Sequence, residues 1–461
     1  MTDTPTFPLL DAREQPILDS LQRIRDELTL LKQDRTTYIK SSDVMPLYEK
    51  VVEQVRLLNE LRADKPEELS QSQSQGPSPP SLCATLTNRQ ACPVDRVLDG
   101  CFQLLSLFFM TIGRNNEAPA AYALTSTIRR LLDHLTEVDF YSEKDLSHIS
   151  HTLKRLREIV KQADKTYSPK LITLLSNRIE ACQGLLTNLQ ARLDRLGGEL
   201  PTIYERLITI LRSISLANTK AKFSTKEVQN LQEQAKEVDS LRVDGKFVAA
   251  SGEAPAGNED VVGLLEKCLD WSEIVLTRKG EMPEAFRAKY QTLIDIRNKL
   301  EKLSLTQAWS LRETDLYDYQ RQLDRIDESR IDGNFVDAEG NFAELYVQRT
   351  LLYLIRRSYG YIYYLMVSSE PVSEALLPVY NQLQTLRRCL IEVKNSGGVS
   401  SPRELYPYSM KLNSLDNMRV DGKFMVGNDI PEGQGSVIDL LSECFDLNYE
   451  LRVAAESETE D

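Results

Sequence analysis

One six-residue element recurs three times: Arg242-Val243-Asp244-Gly245-Lys246-Phe247, Arg330-Ile331-Asp332-Gly333-Asn334-Phe335 and Arg419-Val420-Asp421-Gly422-Lys423-Phe424. The arginines are 88 and 89 residues apart, and an Asp precedes each by three positions: Asp239, Asp327 and Asp416. Self-similarity at a fixed period means one supersecondary unit copied along the chain. The repeat therefore constrains the architecture strongly, while naming no reaction.

Weaker copies extend it. Leu61-Arg62-Ala63-Asp64-Lys65 is a decayed version with Pro66 in place of Phe, and Ala163-Asp164-Lys165-Thr166-Tyr167 is a fainter one. Leu264-Leu265-Glu266-Lys267-Cys268 matches Leu440-Leu441-Ser442-Glu443-Cys444, with Cys101 and Cys182 at the corresponding places upstream. The segment after the second signature copy, Leu351-Leu352-Tyr353-Leu354, lacks the Cys. The chain divides into helical repeats at 9–116 (with a Ser/Gln/Pro insertion at 66–93), 117–197, 198–280, 281–369 and 370–453, followed by an acidic tail at 454–461.

Each repeat reads as three helices. Ile203, Leu207, Ile210, Leu211 and Ile214 recur at helical spacing, and Val261, Leu264, Leu265, Cys268 and Leu269 share one helix face. Ser224 with Glu227 and Ser401 with Glu404 have capping-box spacing, and Ser142 with Asp145 is a looser version. No repeat shows a run of strand-type alternation. The expected fold is all-α, an elongated array of about five three-helix repeats. Within the signature, Asp239 and Arg242 are close enough for an ion pair at the end of a helix. Gly245 fits the C′ position, where left-handed backbone is cheap only without a Cβ, and Phe247 anchors the turn. The same reading applies to Asp327, Arg330, Asp332, Gly333 and Phe335, and to Asp416, Arg419, Asp421, Gly422 and Phe424.

Lys+Arg 56 against Asp+Glu 69 gives a net charge of −13, which argues against a nucleic-acid binder held by phosphate neutralisation. The seven Cys suit small buried residues of a reducing compartment, particularly Cys101, Cys182, Cys268, Cys389 and Cys444 on expected helices. The N-terminus has no signal-peptide pattern. Of the two most apolar stretches, residues 101–112 are too short for a membrane span, and Arg349, Arg356 and Arg357 interrupt 342–367. No span is expected.

The only histidines are His134, His148 and His151. A His-only metal site is geometrically open, but no HExxH or CxxC pattern supports it, and surface positions on a solvated helix explain them. The signature also fails as a calcium loop, since Val336 and Ala343 stand where ligands are needed. No phosphate-cradling loop or nucleophile elbow is present. No cofactor or catalytic residue is expected. The six tyrosines Tyr346, Tyr353, Tyr359, Tyr361, Tyr363 and Tyr364 suit core and boundary positions, with a peptide groove as the alternative. The Ser-Gln run around Ser70, Ser72 and Ser74, the Ser78-Pro79 pair, and Ser457 and Thr459 of the tail are candidate phosphosites in segments that otherwise read as polar linker and tail.

The Leu-Arg-Val-Asp-Gly-Lys-Phe element followed by a Leu-Leu-x-x-Cys helix resembles an uncharacterised fungal family, known through its domain of unknown function 2408. The resemblance spans about Leu18 to Leu451, and Asn334 departs from it. It implies a fungal protein of cytoplasm and nucleus and brings no catalytic residues. Helical arrays expose long surfaces for protein partners. The expected function is therefore a non-enzymatic scaffold or adaptor, with an enzyme site between repeats or a tethering factor as the alternatives.

Overall fold

The computed structural model describes residues 11–63, 92–248 and 254–458. Among them are fifteen α-helices. The first triplet is α1 (Gln15–Gln33), α2 (Ser41–Ala63) and α3 (Pro93–Thr111), the second α4 (Ala121–Val138), α5 (Glu143–Gln162) and α6 (Pro169–Leu193). The third is α7 (Leu200–Asn218), α8 (Thr225–Asp239) and α9 (Asn258–Arg278), the fourth α10 (Glu284–Ser310), α11 (Leu316–Glu328) and α12 (Leu345–Val367). The last is α13 (Leu377–Asn395), α14 (Tyr406–Asp416) and α15 (Gln434–Glu458). Within every triplet each helix packs on the other two.

A repeated thiol contact ties the first and third helices of four triplets together. Cys101, Cys182, Cys268 and Cys444 are buried, and their Sγ atoms donate to the carbonyls of Leu21, Thr125, Leu207 and Leu383 at 3.5–3.7 Å. Burial pushes the Cys101 and Cys268 thiols up to about 12, which suits packing and not reactivity. Cys389 differs from expectation, being only half-buried on α13. Helix starts also redistribute the capping roles. Ser142 and Asp145 form the full reciprocal box, whereas Ser224 accepts from Glu227 without the return bond. Ser401 accepts from Arg403 at the head of a 3-10 turn instead of engaging Glu404.

The triplets do not stay in an elongated row; the chain folds back. A linear array would join each triplet only to its neighbours, yet the first triplet meets the fourth and the fifth. Arg312, before α11, makes a two-point ion pair with Glu374 at 2.6 and 2.9 Å and donates to the carbonyl of Asp34 at 2.7 Å. Arg114 reaches Glu432 at 2.7 Å, and Lys32 reaches Asp318 at 2.5 Å. Gly113 and Gly433 permit this approach: a Cβ on either would lie 2.5–2.8 Å from the backbone of residues 371–373. Helix α12 becomes the centre, packed on α4, α7, α10 and α11. One continuous core runs from Ile17 to Met366, and the last triplet carries its own from Val372 to Leu451. No described helix is long and apolar enough to cross a membrane.

Candidate functional site

The three signature copies form three short hairpins, which corrects the helix-cap reading. Helix α8 ends at Asp239, six residues before Gly245. Both central residues of each turn have positive φ: Asp244 50° and Gly245 79°, Asp332 47° and Gly333 78°, Asp421 49° and Gly422 78°. That pair of signs defines a type I′ turn, whose twist matches that of a two-residue hairpin. Val243 and Lys246 exchange backbone bonds at 2.8 and 3.0 Å, Ile331 and Asn334 at 2.8 Å both ways. In the last copy β1 (Arg419–Val420) pairs antiparallel with β2 (Lys423–Phe424). Asp-Gly after a β-branched residue is the local signal for this turn; two-residue strands are too short to show alternation. Replacing Gly333 by valine should lower stability by about 1–2 kcal/mol, since φ near +78° strains a β-branched residue. A thermal melt of that variant superimposable on wild type would refute the strain argument.

Each hairpin is braced from below. Arg242 pairs with Asp239, Arg419 with Asp416, and Arg330 with Asp327 at 2.7 Å. Phe247, Phe335 and Phe424 are buried. A second brace escaped sequence reading: a carboxamide holds the backbone of each Phe. Asn258 Oδ1 accepts from Phe247 N at 3.0 Å, Gln348 Oε1 from Phe335 N at 2.8 Å and Gln434 Oε1 from Phe424 N at 2.9 Å. Gln348 and Gln434 also donate back to the Phe carbonyls at 3.0 and 2.7 Å. The signal was present, because each amide stands ten residues before Cys268, Ser358 or Cys444. Buried Ser358 thereby takes the place of the missing Cys in the fourth triplet. Above these braces, Val243, Ile331 and Val420 point outward, 60%, 44% and 55% exposed.

The second hairpin alone is tied to another triplet by its Arg. Arg330 also pairs with Glu137 of α4 at 2.5 Å. Beneath it lies a buried ionic cluster: His134 Nε2 is 3.3 Å from Asp327 Oδ2, Arg130 lies 3.4 Å from Asp324 and 3.8 Å from Asp327, and Tyr359 donates to Asp324 at 2.7 Å. His134 is thus a core residue, not a surface one, whereas His148 and His151 are exposed. Burial raises the Asp327 carboxyl, but His134, Arg330 and Arg130 outweigh it and hold the group at about 2. Asp324 goes the other way, raised by burial against the pull of Arg130.

Two small cavities of about 130 Å³ each lie elsewhere, one beside Asp139, Arg192, Tyr204 and Lys267, the other beside Asn115, Arg155 and Met366. Ligand pockets usually begin near ~300 Å³. Glu313 and Asp324, whose carboxyls burial raises, line neither. Among the described residues no three His, Cys, Asp or Glu side chains come together as a metal site. Of the candidate phosphosites, Ser70, Ser72, Ser74, Ser78 and Thr459 lie outside the described residues, and Ser457 falls in the last turn of α15.

The model of the family of proteins of unknown function DUF2408 matches residues 193–313 and 369–461, which hold the first and third hairpins. A CUB1 family protein of Schizosaccharomyces pombe is 39% identical, over 98% of this chain and 95% of the relative. The chain belongs to the DUF2408 family. A second relative is the Cu(2+) suppressing and bleomycin sensitive protein 1 of Saccharomyces cerevisiae, 36% identical over 98% of this chain and 92% of its own length. No solved structure matches. This family member therefore has fungal relatives along nearly its full length, and its fold is all-helical apart from the hairpins.

Proposed function

We propose that this DUF2408 protein is a non-enzymatic scaffold or adaptor that binds protein partners, working in cytoplasm and nucleus. The carrying observation is the build of the hairpins. Asp, Arg, Gly and Phe of the signature are all occupied in holding the turn, while the β-branched residue at its flank stays in solvent three times over. A rigid backbone that exposes an apolar side chain binds without a large ordering cost. The Saccharomyces relative's name associates that protein with Cu2+ suppression and bleomycin sensitivity. Carried to this chain, the name and the Ser-Gln run together favour a role in stress or DNA-damage signalling, switched by phosphorylation at Ser70, Ser72, Ser74 or Ser78, with Ser457 and Thr459 as further acceptors.

Affinity purification of the tagged chain from its own cells, with quantitative mass spectrometry, tests this reading. A stoichiometric protein partner that is lost from a Val243→Asp, Ile331→Asp, Val420→Asp variant of unchanged melting temperature is the expected result. Loss on deleting residues 66–93 would assign control to that segment. No partner above background would refute the adaptor reading.

A further inference from the structure

Helix α12 carries three arginines with no carboxylate partner. Arg349, Arg356 and Arg357 make no ion pair among the described residues, although most arginines of this acidic chain do. Each guanidinium instead lies over an aromatic ring: Arg349 over Trp271 at 5.6 Å, Arg356 over Phe140 at 5.0 Å and Arg357 over Tyr361 at 4.7 Å. Stacking fixes the planar heads; Arg357 Nη2 also donates to the Tyr361 hydroxyl at 3.0 Å, and the remaining N–H groups are donors for a carboxylate. Nη1 of Arg356 is buried without an acceptor among the described residues. Arg297 of α10 is buried with Nε equally orphaned, its Nη2 donating to the Thr219 carbonyl at 3.1 Å.

Two of these heads, Arg356 and Arg357, lie near Arg297 and Arg212 around Tyr353, and Arg349 stands two turns away on the same helix. The charges of Arg357, Arg297, Arg356 and Arg212 all act on the Tyr353 phenol, against the rise that its burial causes. The nearby carboxylates do not neutralise them. Asp145 is held by Arg212, Glu137 by Arg330, and Glu301 accepts from Tyr361 at 2.8 Å; Asp270 acts on Arg349 without pairing to it. Along the same helix Gly360 leaves open space, where a Cβ would meet nothing within 4 Å, and exposed Tyr364 follows one turn on.

We propose that the exposed side of α12 binds an extended acidic peptide segment of a protein partner, with Arg349 taking one carboxylate and the Arg356–Arg357 pair a second. Seven residues of helix separate these points by about 10 Å, the span of about three residues of extended chain. The ligand is thus a peptide whose acidic residues stand three apart. Charge complementarity selects an anion, and the net charge of −13 favours a short acidic segment over a nucleic-acid strand, whose phosphates would run on across an acidic surface.

This inference rests on the adaptor reading and is tested separately from it. Fluorescence anisotropy of the full chain would use a labelled twelve-residue peptide with Glu three residues apart in a Gly/Ser background. The acidic peptide should bind, weaken with salt, and lose affinity about tenfold or more in Arg357→Glu and in Arg356→Met. Arg23→Glu on α1 should bind as wild type does. Equal binding of the Gln-for-Glu peptide, no loss in either variant, or tighter binding of a twelve-nucleotide single strand would overturn it. A partner captured by the tagged chain and retained by Arg356→Met would sink the groove while leaving the adaptor reading standing.

Discussion

Replacing Asp327 by alanine is expected to destabilise the fold by about 3–5 kcal/mol, the usual cost of removing one partner from a buried ionic cluster. Asp327 stands between His134, Arg330 and Arg130, all drawn to one carboxylate that is 7% exposed. Its loss leaves three donors facing one another beneath the second hairpin and against α4. The effect depends on pH. Asp327 is held at about 2 against 3.8 for the free group, so the stabilisation is complete above pH 3.8 and disappears as the pH falls toward 2. The difference amounts to about 2 kcal/mol. Chemical denaturation of wild type and Asp327→Ala at pH 7 and pH 2.5 should therefore give a gap that narrows by about that amount in acid. A gap independent of pH would show that packing, and not charge, sets the cost. Asp324 works in the opposite sense, since burial raises its carboxyl against the pull of Arg130.

Replacing Arg356 by methionine is expected to stabilise the chain. Burial, and then the charge of Arg212, push this guanidinium down to about 10 from 12.5, so keeping it charged is unfavourable at every pH below 10. The full difference is worth about 3 kcal/mol, and part of the residue still touches water. A gain of about 2 kcal/mol is the expected result. Methionine keeps an unbranched, apolar stem against Phe140 and removes the unmatched Nη1 donor. A residue that costs stability in the free protein is most simply retained for a ligand, which links this measurement to the acidic-peptide groove. A melt of Arg356→Met at or below wild type would mean that the arginine contributes packing the charge does not outweigh.

Much of the helical framework was legible because it depends on local periodicity. Leu207, Ile210, Leu211 and Ile214 share a face in the sequence and are buried together in α7. The recurrence of Cys268 and Cys444 reflected one real contact, made four times to the first helix of a triplet. The signature is visible at once, yet its spacing alone does not decide the turn. Positive φ at Gly245 suits either a helix cap or a hairpin, and only the matching sign at Asp244 separates them. The amides Asn258, Gln348 and Gln434 share one spacing to Cys268, Ser358 and Cys444, but an Asn or Gln at a helix start normally signals nothing beyond solvent or a cap. Their role needs the Phe backbone that the hairpin delivers to them.

The sequence by itself determined the all-helical class, the number and order of the helices, and the three places where the same turn is rebuilt. Those depend on spacings within a dozen residues, where backbone geometry allows few alternatives. Only the tertiary structure decided that the triplets close on one another. That closure rests on pairs such as Arg312 with Glu374 and Arg114 with Glu432, and on Gly113 and Gly433 lying against residues 371–373. Such contacts join positions far apart in the chain, so no local pattern encodes them. The same holds for α12: its arginines read as interruptions of an apolar run, and only the tertiary structure shows them stacked on Trp271, Phe140 and Tyr361 without an ion pair among the described residues, the observation behind the proposed anion site.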